Sequence, residues 1–264
     1  MRIIRWMAAA FSLYSRIPMP HFTWREDDTA HSILFLPLIG AVIGGLVFWI
    51  NIPARLPLGW GALPAAVRVL LTLLVPILVT GGFHLDGFMD TEDALRSYGS
   101  REKKLEILKD PHIGAFAVIG LIRVLLIFAA GVTSLLMDPH TDLRVLGIFS
   151  AVFVTARCLS GLTSLMMKKA KKDGMLYEET KGMSRGMLLF LAAELSASIL
   201  FMLLLHPVRG GFACLAFAVY TAYYCGQMRR AFGGVTGDTA GYFLTSAEAA
   251  ATAALAISSL FPYV

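Results

Sequence analysis

Long apolar segments separated by short charged ones restrict the possible folds of this chain more than any other feature. A helix needs about 20 mostly apolar residues to cross a bilayer. Apolar residues make up 57% of the 264 residues and charged residues only 16%, an excess that a soluble domain of this size could not bury. We therefore predict an all-α, polytopic membrane helical bundle of about seven transmembrane helices, at residues 33–50, 67–82, 113–137, 145–167, 187–206, 212–228 and 241–260. The second and sixth of these are short, so six or eight spans remain open.

The N-terminal region resembles a secretory signal at first, since Arg2 and Arg5 precede an apolar run. The run ends in residues 15–20, which contain two prolines and no small-residue cleavage site. We therefore predict an uncleaved helix that lies in the membrane interface. Because no internal repeat or low-complexity linker divides the chain, we treat residues 1–264 as a single domain.

Basic residues are distributed unevenly among the segments between the predicted spans. Segments 1–32, 83–112, 168–186 and 229–240 hold most of the 23 Lys and Arg residues, whereas the intervening segments hold only Arg55, Arg144 and Arg209. This is the pattern of positively charged cytoplasmic loops. We predict a multi-pass protein of the cell (inner) membrane with a cytoplasmic N-terminus. The net charge of +5 then reflects topology, and we expect no nucleic-acid partner.

Three aspartates follow the second predicted span at helical spacing. Asp86, Asp90 and Asp93 are related as i, i+4 and i+7, so a helix places them on one narrow stripe. Like charges on one stripe destabilise a helix, and hard carboxylate oxygens suit Mg²⁺, which also takes substrate phosphates as ligands. The stripe therefore predicts a magnesium site, the alternative being a solvated acidic face. Glu92 lies off the stripe, and we expect it to be solvated.

Further polar residues in the same predicted loops are candidates for phosphate or metal binding. Lys104, Lys109 and Asp110 precede the third span, where the lysines either clamp an anion or only mark the cytoplasmic side. We interpret the lysine-rich run at 168–172 as an anchor to anionic lipid. Glycines at 233–237 lead to Asp238, so this stretch is either a plain turn or a phosphate-binding turn whose aspartate completes the metal site.

Four ionisable residues lie well inside predicted spans. Arg123, Arg157, Glu194 and Glu248 are costly in lipid and are expected to face the interior of the bundle. Two positive and two negative side chains could pair with one another. Arg157 and Glu248 are the stronger candidates for a functional role.

Taken together, these stretches resemble the cobalamin synthase family, the adenosylcobinamide-GDP ribazoletransferases. The Gly-Gly-Phe-His-Leu-Asp-Gly and Gly-Gly-Val-Thr-Gly-Asp stretches are the most specific, and Arg157 falls where the family carries an Arg in a span. The chain departs from the family at Ala94, where Gly is usual, and at Thr245, where a first Glu precedes the retained Glu248. Five blocks carry the resemblance, at residues 15–20, 35–40, 81–93, 105–114 and 233–239.

The resemblance implies a reaction and a cofactor. An α-ribazole, free or 5′-phosphorylated, attacks the phosphorus bound to cobinamide in adenosylcobinamide-GDP, GMP leaves, and adenosylcobalamin or its phosphate forms. Mg²⁺ is the implied cofactor. Phosphoanhydride displacement requires mainly positioning and charge neutralisation from a protein, which agrees with a cluster of carboxylates and basic side chains in cytoplasmic loops.

Site roles follow as hypotheses from the resemblance and the residue chemistry. Asp86 and Asp90 are assigned to catalysis through the metal, and His84 is assigned as a base for the attacking hydroxyl. The predicted metal ligands are Asp86, Asp90, Asp93, Asp110 and Asp238. The predicted phosphate contacts are Lys104, Lys109, Arg157 and Arg230.

Two other functions remain open from the residues themselves. A CDP-alcohol phosphotransferase also places aspartates at a membrane face, although its spacing differs from that of Asp86 and Asp90. A transporter could use the four ionisable residues inside the spans, but no repeated halves are visible. The expected partners are the small-molecule substrates and membrane lipid, with a homo-oligomer possible.

Overall fold

The apolar runs form helices, because backbone groups in lipid must find hydrogen-bond partners within their own segment. The computed structural model describes residues 2–20, 23–52 and 63–261, and these contain no β-strand. Short 3-10 helices precede α3, at Ser32–Phe35, and follow α12, at Ser258–Leu260. The α-helices are α1 (Arg2–Tyr14), α2 (Glu26–Ala30), α3 (Leu36–Asn51), α4 (Ala65–Thr80), α5 (Phe83–Arg96), α6 (Arg101–Ile107), α7 (Ala115–Met137), α8 (Leu143–Met166), α9 (Met175–Thr180), α10 (Arg185–Leu205), α11 (Pro207–Ala231) and α12 (Gly237–Ile257).

Five of the described helices are long and apolar enough to cross a membrane. They are α3, α7, α8, α10 and α12, with the adjoining 3-10 helices included for the first and last. Helices α4 and α5 pass the same test only as a pair, and a bend of 94° separates them. Counting that pair gives six spans, so the predicted polytopic all-α bundle is confirmed while the predicted number, about seven, is higher than this count.

Helix α11 accounts for the difference. It covers the predicted span 212–228 and has 25 residues, but it is not among the helices apolar enough to cross a membrane. Its second half contains Tyr220, Tyr223, Tyr224 and Gln227, which lower its hydropathy. Because α11 packs along both α10 and α12, its place in the bundle is set by these neighbours as well as by lipid.

Helix α8 forms the centre of the bundle. It packs against α3, α10, α11 and α12, and 78% of its span is buried inside the protein, compared with 17% for the α10 span. Gly44 of α3 lets the two backbones touch, because a Cβ there would lie 2.3 Å from the carbonyl oxygen of Ser150. Close approach at small residues is typical of helix packing in membranes. The exposed leucines and phenylalanines of α7 and α10 suit contact with lipid.

The N-terminal helix predicted from the sequence is present as α1. It packs on α2, on the first 3-10 helix and on α3, and it buries Ala8, Ala9, Ala10 and Tyr14. Arg5 pairs with the buried Asp28 at 2.5 Å, which ties α1 to α2. Its location in the membrane interface stays a prediction.

The four basic segments lie at one end of the bundle, as the charge pattern predicts. The backbone N–H of Arg16 donates to the carbonyl of Val79 at 2.8 Å, and the N–H of Ala170 donates to the carbonyl of Val235 at 2.9 Å. Arg209, from an intervening segment, is instead buried against Asp138 at the far end of α7. Arg55 lies outside the described residues.

Candidate active site

Helix α5 carries the aspartate stripe across the end of the bundle. Gly81 and Gly82 both have positive φ, +67° and +82°, which glycine adopts readily, and these two residues turn the chain from α4 into α5. Helix α5 packs mainly on α12 and α7 and lies outside the five spans. Asp86 is exposed and Asp90 is half-buried.

Asp238 joins Asp86 and Asp90 from the start of α12. A Cβ at Gly87 would lie 2.8 Å from both the Cα and the carbonyl oxygen of Asp238, so glycine is what lets α5 meet α12 here. Burial, followed by the negative charges of Asp86, Asp238 and Asp93, raises the pKa of Asp90 to about 6. These carboxylates are therefore close enough to repel one another, an arrangement that a cation would relieve.

Asp93 has a different set of contacts. One of its oxygens accepts a hydrogen bond from the N–H of Gly114 at 2.6 Å and the other from that of Ala117 at 2.9 Å. These bonds satisfy backbone donors at the start of α7. Asp93 therefore joins α5 to α7, and its role as a metal ligand stays a prediction.

Glu92 is buried, so the prediction that it is solvated is wrong. Only 2% of its side chain is exposed, one oxygen pairs with Arg96 at 2.7 Å and the other pairs with Arg123. Packing of α5 on α7 covers this face of the helix, a contact that the spacing of charges along α5 does not reveal. The pairing considered for the ionisable residues inside the spans is confirmed for Arg157 and Glu248, at 2.6 Å. It is wrong for Arg123, which is exposed and pairs with Glu92 instead.

The lysine run after α8 contributes side chains to the site. The sequence pattern predicts a lipid anchor here and does not predict that contribution. Two backbone hydrogen bonds of 2.9 Å join Lys168 and Ala170 to Val235, next to Asp238. Lys171 is half-buried; burial lowers its pKa, and the nearby Asp238 carboxylate opposes that shift. No sequence signal distinguishes Lys171 from its neighbours in the run. Its position beside the aspartates depends on the backbone hydrogen bonds between residues 168–170 and Val235, which join segments far apart in the chain.

Two clefts flank Asp86, and both are also lined by Phe83. The smaller, of about 230 Å³, contains Lys169, Lys171, Asp173 and Asp238. We name it the lysine cleft. The larger, of about 860 Å³, lies between residues 12–19, the α4–α5 turn and Leu121 of α7. We name it the wide cleft.

The predicted phosphate-binding residues occupy different places. Lys109 faces Asp173 of the lysine cleft at 3.5 Å, so it lies at the rim. Lys104 donates to the carbonyl of Leu95 at 2.9 Å and holds α6 on α5. Arg230 is exposed near the end of α11. Arg157 is buried among the spans in its pair with Glu248.

The remaining two candidates line neither cleft. Asp110 is exposed and accepts hydrogen bonds from the backbone N–H of His112 at 3.0 Å and from its ring. His84 is buried and lines interior cavities, one of which it shares with Arg157 and Glu248. Its Nε2 has no hydrogen-bond partner among the described residues. The assignment of His84 as a base stays a prediction.

The carboxylates of Asp86, Asp90 and Asp238 suit Mg²⁺ but do not form a complete coordination shell. Within the described ranges, no three His, Cys, Asp or Glu residues are arranged so that they could hold a metal by themselves. Mg²⁺ is commonly held by one or two carboxylates together with water and substrate phosphates. The Asp86, Asp90 and Asp238 arrangement therefore fits a cation that binds together with a phosphate ligand.

Comparison with known proteins gives consistent matches over almost the whole chain. Residues 6–256 match the family described as Cobalamin-5-phosphate synthase. An adenosylcobinamide-GDP ribazoletransferase of Lachnoclostridium phytofermentans is 38% identical over 251 residues, covering 94% of this chain and 92% of that protein. Proteins of the same name from Pseudomonas savastanoi pv. phaseolicola and Clostridium perfringens are each 32% identical, covering 96% and 90% of this chain and 98% and 91% of their own lengths. No solved structure matches the chain.

Proposed function

We propose the following function for this chain, which belongs to the cobalamin-5-phosphate synthase family. It is an adenosylcobinamide-GDP ribazoletransferase that acts late in cobalamin biosynthesis. It transfers the adenosylcobinamide phosphate group to α-ribazole or its 5′-phosphate and releases GMP. Relatives that carry this name align with at least nine-tenths of their length. The family accounts for the aspartate helix, so neither a CDP-alcohol phosphotransferase nor a transporter is needed to explain it.

The observation that carries the chemical proposal is the meeting of two aspartates on α5 with Asp238 on α12. Asp86 and Asp238 line the lysine cleft together, and burial, followed by the charges of both, raises the pKa of Asp90. We assign the Mg²⁺ site to this group, with one or two carboxylates of Asp86, Asp90 and Asp238 binding the ion together with phosphate oxygens of the donor. When bound, Mg²⁺ would neutralise charge on the pyrophosphate oxygens.

The protein's own residues then position the donor and balance its charge. Lys171 inside the lysine cleft and Lys109 at its rim add positive charge beside the phosphates. The acceptor hydroxyl oxygen forms a bond to the phosphorus linked to cobinamide as the bond from that phosphorus to the GMP oxygen breaks. The hydroxyl proton passes to solvent, because His84, the base predicted from the sequence, is buried and lines neither cleft.

We place this site on the cytoplasmic side of the cell membrane. The support is the concentration of Lys and Arg in the segments that meet at this end of the bundle. Membrane lipid is then a partner of the exposed apolar faces of α7 and α10. A homo-oligomer remains an expectation.

Replacing Asp86 or Asp90 with Asn tests the metal assignment. Each change removes a charged oxygen donor, so we expect Mg²⁺-dependent GMP release to fall by about 100-fold or more, as when other groups that stabilise transition-state charge are removed. Mg²⁺ should also raise the Tm of the wild-type protein in detergent but not that of these variants. Glu102→Gln, an exposed change on α6, should behave as the wild type. Normal GMP release from both aspartate variants would refute the assignment.

A further inference from the structure

The wide cleft differs from the lysine cleft in the character of its walls. The described part of its lining holds one basic side chain, Arg16, and one acidic side chain, Asp86. The hydroxyls of Ser12 and Ser15 add polar groups. Most of the remaining side chains are apolar: Leu13, Ile17, Pro18, Met19, Phe83, Leu85, Met89 and Leu121. The wide cleft therefore combines apolar side chains with a substantial polar surface and has, in its described lining, only these two charged side chains, a lining that suits an organic ligand carrying polar groups.

Arg16 is held at this cleft by its backbone and by a glycine. Its N–H donates to the carbonyl of Val79 at 2.8 Å. Its side chain lies directly on Gly81, where a Cβ would come within 2.4 Å of the Arg16 Nε. Any other residue at Gly81 would displace that side chain as well as strain a backbone with φ of +67°. The α4–α5 turn thus provides the surface on which the arginine rests.

The guanidinium of Arg16 is available to a ligand. Arg16 is exposed, and in the part of the chain that the structure describes no carboxylate lies within ion-pair distance of it. By contrast, Arg96, Arg123, Arg157 and Arg209 are all paired with carboxylates. A positioned arginine without a carboxylate partner suits a phosphate group, which it can bind through two parallel hydrogen bonds.

The sizes of the two clefts decide which part of the donor each can hold. Pockets for small molecules usually measure about 300–1,000 Å³. The lysine cleft, of about 230 Å³, lies below this range, and its charged lining suits a phosphate group. The wide cleft, of about 860 Å³, has room for much of a corrin macrocycle. Its walls, which combine apolar side chains with polar groups, match a ring whose edge carries both methyl groups and amide side chains.

We propose that the wide cleft binds the corrinoid half of the donor, and that Arg16 contacts the phosphate that remains attached to it. The lysine cleft then receives the phosphate of the departing nucleotide, with Asp86 between the two. This assignment rests on the proposed function, because it takes adenosylcobinamide-GDP as the donor. It makes Arg16 and Leu121 determinants of donor binding and not of acceptor binding.

A matched pair of tryptophan substitutions on α7 tests the cleft. Leu121→Trp fills the wide cleft, whereas Ile122→Trp adds the same bulk at the next residue, which is 54% exposed on the outer face. For Leu121→Trp we expect KM for adenosylcobinamide-GDP to rise about 10-fold or more and KM for α-ribazole to stay unchanged. Ile122→Trp should match the wild type in both constants.

A measurement of ligand binding that needs no catalytic activity tests the assignment of the wide cleft separately from the proposed function. Cobinamide, which has no phosphate, is coloured, so equilibrium dialysis against the detergent-purified protein measures its binding directly. Leu121→Trp should weaken cobinamide binding, and Arg16→Gln should leave it unchanged. Arg16→Gln should instead raise KM for adenosylcobinamide-GDP about 10-fold, with partial recovery in Arg16→Lys.

Two results would overturn the assignment of the wide cleft. One is a rise in KM for α-ribazole in Leu121→Trp while cobinamide binding stays intact, which would assign the cleft to the acceptor. The other is wild-type KM values and cobinamide binding in Arg16→Gln, an exposed substitution that does not threaten folding. A wild-type protein that binds cobinamide in the wide cleft but forms no cobalamin would instead refute the proposed function and leave the cleft assignment standing.

Discussion

Individual carboxylates in this protein have roles set by their surroundings and not by their place in a motif. Asp90 is crowded by other acids and suits a cation, whereas Asp93, one helical turn away, accepts hydrogen bonds from the start of α7. Glu92, which lies between them, is buried and forms two ion pairs, one with Arg96 and one with Arg123. Three adjacent acids therefore differ in function because each faces a different neighbour.

Glu179 of α9 gives a pH-dependent prediction at this scale. Burial raises its pKa to about 7 from an ordinary value of 4.5, against a hydrogen bond from Tyr14 that lowers it. Between these two values the folded protein retains a proton that the unfolded chain has lost, so its contribution to stability falls as pH rises from about 4.5 to about 7. The Tm in detergent should therefore decline less across this range in Glu179→Gln than in the wild type. Parallel declines would show that Glu179 is ionised in the folded protein throughout.

At the scale of elements, the site depends on how α5 is attached to its neighbours. The glycines at 81 and 82 turn α5 across the bundle end, Gly87 lets it approach α12, and Asp93 and Glu92 attach it to α7. The aspartate stripe is a local property of α5. Its position beside Asp238 and Lys171 is a property of these attachments.

The ion pairs of Glu92 should be important for stability. Glu92→Gln leaves Arg123 and Arg96 without their buried carboxylate partner, and loss of one member of a buried pair typically costs 3–5 kcal/mol. Because both arginines keep some solvent contact, we expect a loss of about 3 kcal/mol, measured as a lower Tm and weaker resistance to denaturant in detergent.

The matched control for Glu92 is an exposed ion pair on α6. Glu106 pairs with Lys103 at 3.1 Å, and both side chains are mostly exposed. Exposed pairs contribute little because solvent screens them, so Glu106→Gln should leave the Tm nearly unchanged. Equal effects of the two substitutions would mean that the Glu92 pairs do not hold α5 on α7.

At the scale of the whole molecule, the helices bring four distant basic segments to one end, whereas the described part of the intervening segments at the opposite end contains only two Lys or Arg residues, Arg144 and Arg209. This separation supports the proposed orientation in the membrane. It also explains how residues from four parts of the chain meet around Asp86, because all four segments lie at this end of the bundle.

Cysteine labelling tests that orientation. In a variant with Cys158, Cys214 and Cys225 replaced by Ala, single cysteines are placed at Lys103 and His140, both exposed and at opposite ends of α7. A membrane-impermeant maleimide should label His140→Cys in intact cells and Lys103→Cys only after the cells are broken. The reverse pattern would place the site on the outer side of the membrane.

The sequence by itself determined the helical class, the main spans and the aspartate stripe, because apolar runs and residue spacing act locally along the chain. It also indicated that Asp238 belongs with Asp86 and Asp90, through a resemblance carried by short contiguous stretches. Only the tertiary structure decided that Lys171 and Arg16 flank these acids and that Arg157 is held by Glu248. Those relations join residues far apart in the chain, and they depend on helix packing, which spacing along a sequence does not encode.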